Sequence, residues 1–191
     1  MGLITQQTLK NVTSYRTKHF SKGLGTPDIL NESFNPTKIY DVFLSHSYMD
    51  KEDIASLKVY LESFNLTVYV DWIDDRTLNR KTVNKQTALI IRKRMENCKS
   101  LFYAFSENSS SSIWMPWELG YFDGFKGRVA ILPISSKESN HYVGAEYLGI
   151  YPYVAEDKIS ETNEDALWIC ENETKYIIFS EWLKGKELIS R

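Results

Sequence analysis

Alternating β-rich runs and helical periods from residue 38 onward predict an α/β domain with a doubly wound parallel sheet. The β-rich runs are almost continuously apolar, as strands covered on both faces are, and the segments between them repeat their apolar residues at helical spacing. With 191 residues, 42% of them hydrophobic and 25% charged, the chain suits one hydrophobic core and is too short for two full-sized domains.

Residues 1–37 are set apart as an N-terminal helical arm and linker, and residues 38–191 as the main domain. Between Met1 and Gly25 the charges are Lys10, Arg16, Lys18 and Lys22, and no acid occurs before Asp28. Leu9, Val12, Arg16 and His19 with Phe20 recur at helical spacing, so a short amphipathic helix is expected, followed by a loop marked by Gly23 to Pro27 and by Asn35-Pro36. Such an arm packs on its own domain or serves a partner. Its removal is expected to alter homo-oligomer assembly or resting activity more than stability.

Ile39 to Leu44 reads as a buried first strand. Asp50 with Asp53 resembles a capping box, and Ile54, Leu57, Leu61 and Phe64 continue a helix behind it. Leu66 to Val70 is a second strand. Beyond a charged loop, Asp71 to Lys85, the residues Ala88, Ile91, Met95 and Cys98 form another helical stripe leading into a strand from Ser100 to Phe105. Ser112 is the expected N-cap of the next helix, whose first turn tolerates Pro116 because the amide there has no helical partner. Arg128 to Ile134 is a fourth strand. A fifth starts near Tyr153, the runs Ala166 to Cys170 and Lys175 to Phe179 form a C-terminal hairpin, and a closing helix begins near Ser180 with Trp182 and Leu183.

Lys plus Arg total 23 against 25 Asp plus Glu, a net charge of −2 that draws the chain to neither nucleic acid nor an anionic membrane. No apolar run approaches the ~20 residues of a membrane helix, and the first ten residues lack a secretory pattern, so a cytoplasmic protein is expected. Cys98 and Cys170 sit in apolar patterns and read as buried free thiols. His19, His46 and His141 are scattered, with no metal-type spacing.

Ligands of a doubly wound sheet bind beyond the carboxyl ends of the strands. The first strand ends there in Ser45-His46-Ser47-Tyr48, hydroxyls, an imidazole and a phenol, and no G-x-G-x-x-G dinucleotide fingerprint is present. Ser112-x-Trp114-x-x-x-Glu118 places an indole and a carboxylate one helical turn apart on one face. An apolar wall beside a carboxylate prepares it for acid/base work or for holding a ribose hydroxyl. On these residues alone, a surface glutamate beside core tryptophans is the favoured reading.

Tyr40-Asp41-Val42-Phe43-Leu44-Ser45-His46 with Asp50 resembles the opening motif of TIR domains, and Ser112-x-Trp114-x-x-x-Glu118-Leu119 resembles the glutamate helix of NAD-consuming TIR enzymes. Tyr147-Leu148-Gly149-x-Tyr151-Pro152-Tyr153, Leu167-Trp168 and Glu181-Trp182-Leu183 are similar to the TIR-like proteins of the bacterial Thoeris anti-phage system. This resemblance implies a flavodoxin-like fold and NAD⁺ as a substrate, cleaved at the nicotinamide–ribose bond, with no separate cofactor or metal. It further implies a cyclic ADP-ribose isomer that diffuses to a Sir2-domain, NAD-degrading effector. Glu118 would be catalytic. Trp114 would wall the substrate pocket, Ser45, His46, Ser47 and Tyr48 would line it, and Asp74 or Arg76 would close over it. Two alternatives stay open: a non-catalytic module that senses infection and recruits the effector by contact, and another N-glycoside enzyme on the same fold.

Overall fold

The computed structural model describes residues 1–20, 37–47, 51–74, 84–106, 109, 112–144 and 146–191. Among them the order is β1 (Ile4–Thr5), α1 (Gln6–Phe20), β2 (Tyr40–Ser45), α2 (Lys51–Glu62), β3 (Val68–Tyr69), α3 (Asp71–Asp74), α4 (Lys85–Glu96), β4 (Cys98–Phe105) and α5 (Trp114–Lys126). There follow β5 (Val129–Ser135), a 3₁₀ turn (Glu146–Ile150), β6 (Tyr153–Lys158), β7 (Asp165–Cys170), β8 (Lys175–Ile178), α6 (Phe179–Leu183) and β9 (Ile189–Ser190).

These strands make one sheet in the order β3-β2-β4-β5-β6-β7-β8-β9, with β1 beside β5. The first five strands of that order are parallel, and β7, β8 and β9 extend the sheet antiparallel. The parallel part has flavodoxin-like order, its direction of winding reversing between β2 and β4.

Strand residues alternate between two cores because side chains leave a strand on opposite faces in turn. Phe43, Leu101, Tyr103 and Ile131 pack against Ile91 and Met95 of α4 and Met115, Leu119 and Phe122 of α5. Leu44, Phe102, Ala130 and Leu132 pack on the other face against Leu9 of α1, Ile54, Leu57 and Leu61 of α2, and Phe179 and Trp182 of α6. Both faces of the parallel strands are therefore dry, which is why their sequences read as apolar runs.

The C-terminal hairpin and closing helix stand where the sequence puts them, and both cysteines are buried and free. Burial pushes the Cys170 thiol up to about 12.

Several boundaries differ. Cys98 opens β4 instead of continuing the helical stripe, because Asn97 already closes α4 with its N–H on the carbonyls of Arg94 and Met95. The second strand contracts to Val68–Tyr69, and β9 is an addition too short for a periodic signal. Ser112 lies one residue outside the helix boundary at Ile113, yet its Oγ still accepts the Met115 N–H at 3.3 Å. Asp50 lies outside the described residues. The N-terminal helix is present, but it is preceded by β1, which pairs Ile4 with Ile134, and both Ile4 and Leu9 are wholly buried. The first residues are thus part of the sheet and its core. No helix among the described residues is long and apolar enough to cross a membrane.

Candidate active site

The reversal of winding between β2 and β4 marks the place beyond their carboxyl ends where ligands of such sheets bind, since the helices following these strands leave to opposite faces. Ser45 is the last residue of β2, and its partner across the ladder is Tyr103 of β4. Both side chains face the α5 side of the sheet.

Glu118 reaches this point from the second turn of α5. That helix starts on Trp114, accommodates Pro116 in its first turn, and stops at Gly127. Gly127 adopts φ 65°, so that its N–H reaches back to the carbonyls of Phe122 and Asp123, a conformation that suits a residue without Cβ. With both ends fixed, the glutamate is fully buried at 0% exposure, and the Ser45 hydroxyl donates to its Oε2 at 2.6 Å. The length is that of a close O–H···O hydrogen bond. An enclosed carboxylate without such donors would cost several kcal/mol, on the order of the penalty for an unpaired buried charge.

Trp114 lies one turn before Glu118 and is nearly buried, with its ring edge-on to Trp117 at 5.5 Å. Tyr103 is buried close to Glu118 and to Tyr147 of the 3₁₀ turn. Burial first, then the neighbouring Tyr147 phenol and the charge of Glu118, push its phenol well above its usual range. Tyr142 completes an aromatic wall, 5.9 Å from Phe105 and 5.8 Å from Tyr153 between ring centres.

His46 leaves the end of β2 toward β3. Its Nδ1 is 2.9 Å from the Leu44 carbonyl and its Nε2 is 3.4 Å from Oδ1 of Asp71, the first residue of α3. Ser47 follows it, also buried. Asp74 is buried at the end of α3, where its Oδ2 accepts the Val70 N–H at 2.6 Å and lies 3.5 Å from Lys58 Nζ. Burial raises its carboxyl, against the lowering by Lys58 and Val70. These contacts are with the scaffold, not with Glu118. Tyr48 and Arg76 lie outside the described residues.

The structure therefore brings Ser45 and Glu118 together, with Trp114 one turn away, and sets His46 on a separate bridge to Asp71. Tyr103, Tyr142 and Tyr147 were not among the residues expected at the site. Tyr103 reads in the sequence as a core position of an apolar strand, and only the ladder register reveals that it neighbours Ser45. Tyr147 lies within a run that carried the resemblance, which was the available signal for it.

The carboxylate and hydroxyl are enclosed with aromatic rings nearby, an arrangement able to stabilise a developing cation. No family model matches the chain. It is 47% identical over 192 aligned residues, spanning 96% of the chain and 99% of the relative, to a protein of Bacillus cereus (strain MSX-D12) named "Probable 3′ cyclic ADP-D-ribose synthase ThsB′". A shorter match, 35% identical over 85 residues, covers 44% of the chain and 22% of TIR2 of Cytobacillus dafuensis, a provisionally named cyclic ADP-D-ribose synthase. With such identity along nearly the whole of both proteins, and a flavodoxin-like sheet beneath a buried Ser45–Glu118 pair, the chain belongs to the ThsB′ family of TIR proteins.

Proposed function

We propose that the chain cleaves NAD⁺ at its nicotinamide–ribose bond and closes the remaining ADP-ribose on itself, with Glu118 as the catalytic carboxylate. The observation that carries this reading is the buried Glu118 held by Ser45 at the crevice between β2 and β4.

Breaking the C–N bond sends its electron pair to the pyridinium nitrogen, so nicotinamide departs neutral and needs no acid. The ribose C1 is left with oxocarbenium character, which a fixed carboxylate stabilises as in glycoside hydrolysis. A hydroxyl of the same molecule then attacks C1 and gives its proton to Glu118. By extension from the relative's name, the 3′ isomer is the product we assign. Trp114 walls the pocket, Ser45 orients the glutamate, and Ser47 closes the strand end. His46 acts one step removed, lying against Asp71, while Asp74 fixes the turn that opens α3 through the Val70 N–H. Tyr48 and Arg76 are retained as substrate contacts on the family resemblance alone. The cyclic product would diffuse to a Sir2-domain effector.

Glu118→Gln keeps the size of the side chain and the Ser45 bond while removing the charge. Cyclic product should fall by roughly 10² to 10⁴, the range for a group of this kind, with the thermal transition retained. Mass spectrometry of small molecules from phage-infected cells measures it, and undiminished product in the variant overturns the assignment.

A further inference from the structure

Tyr147 is 45% exposed, but the turn that carries it is fixed. Its 3₁₀ turn is anchored from three directions. Leu148 enters the core between the sheet and α5. The Tyr151 hydroxyl donates to Asp123 Oδ2 of α5 at 3.0 Å. Gly144 lies so close to the backbone of Gly149 that a Cβ on it would meet Gly149 Cα at 2.5 Å.

From this strap Tyr147 comes close to Tyr103, which lies beside Glu118. The Tyr142 hydroxyl near them is buried, with no hydrogen-bond partner among the described residues. Leaving such a group unpaired is costly, and a bound polar molecule would relieve that cost. A half-exposed ring on a rigid turn, backed by an unsatisfied phenol, is a built contact for the part of a substrate that projects out of the crevice.

We propose that Tyr147 is the residue that decides the fate of the cleaved intermediate, favouring capture of C1 by the substrate's own hydroxyl over capture by water. The inference rests on the NAD⁺-cleaving reading above. In either outcome the C–N bond breaks with its electron pair leaving on nicotinamide, one C–O bond forms at C1, and one hydroxyl proton passes to Glu118. The oxygen differs: intramolecular hydroxyl gives the cyclic isomer, and water gives linear ADP-ribose. The cyclic route requires the distal half of the dinucleotide to fold back over C1. An aromatic face at the rim holds that fold and occupies the path of water. Tyr103, fully enclosed, positions Tyr147 and does not need to touch substrate.

The test uses the full chain, produced at matched levels in cells with and without phage infection, with nicotinamide, cyclic isomer and ADP-ribose quantified together. Tyr147→Ala should lower the cyclic-to-linear ratio at least about tenfold while nicotinamide release stays within about fivefold. Tyr147→Phe keeps the ring and should stay within about threefold of the native ratio. An unchanged ratio in Tyr147→Ala, or a parallel loss of nicotinamide and both products, overturns this role, because a merely structural residue lowers the total and leaves the partition alone. Absence of nicotinamide release from the native chain overturns instead the NAD⁺-cleaving reading.

Discussion

Ser45 contributes one hydroxyl, and its value depends on the acceptor being a buried carboxylate. A hydrogen bond to a charged group is worth about 1.5–3 kcal/mol, so Ser45→Ala should reduce turnover roughly 10- to 10²-fold if the bond fixes Glu118 for the transition state. Ser45→Thr, which keeps the hydroxyl, should recover most of it. Steady-state kinetics separating kcat from KM, beside a thermal melt, decides the matter, and an alanine variant with native kcat refutes it. Asp41 shows a different use of a carboxylate. Its Oδ2 accepts the N–H and hydroxyl of Thr67, and its Oδ1 accepts Lys99 Nζ at 2.8 Å, so it stitches β2 to both neighbours. Burial pushes its carboxyl up, but these donors more than offset that and hold it below its ordinary value of 3.8. A depressed folded-state value contributes stability above 3.8 and loses it as pH falls toward the folded value. Urea midpoints for the native chain and Asp41→Asn should accordingly be well separated at neutral pH and converge below pH 3.8; a constant gap contradicts the linkage.

Elements were legible in proportion to their length and period. The stripe Ile54, Leu57, Leu61 follows one helix face and all three residues are buried, so α2 could be read directly. Strand β1 has two residues, too few for any period, and only its pairing with β5 makes it a strand. That rung changes what the N-terminal segment does. Ile4 is fully enclosed in the core shared with Leu9 and Leu132, and Ile4→Ala should cost about 2–5 kcal/mol through lost burial and a cavity. Denaturant titration measures it. Removal of the first residues should lower stability outright, the reverse of the expectation drawn from the sequence, and a truncated chain as stable as the native one would restore that expectation. The site divided along the same line. Glu118 and Trp114 share one helix, so their spacing was visible, and Ser45 ended a recognisable strand. Tyr103 and Tyr147 depend on strand register and on the path of the 3₁₀ turn, neither of which local pattern records.

At the scale of the whole molecule, the parallel order fixes where chemistry can happen. Two apolar faces leave the strand ends as the place for a polar ligand, and the reversal of winding selects β2 and β4 among them. If the product leaves to solvent, the proposed action on a Sir2-domain effector should need no contact between the proteins. Protein-free filtrate from reacting extract should trigger NAD⁺ loss by the purified effector, and filtrate from Glu118→Gln extract should not. Activation that requires the protein itself would favour the contact module instead.

The 3₁₀ turn that carries Tyr147 comes after β5, and β6 follows it, whereas Ser45 is placed early in the chain. During synthesis, then, Ser45 and Glu118 emerge before the segment that carries Tyr147, and β1 can dock only once β5 exists. Nascent chains that stop short of the turn should therefore lack the NAD⁺-consuming activity, because one side of the site is not yet built.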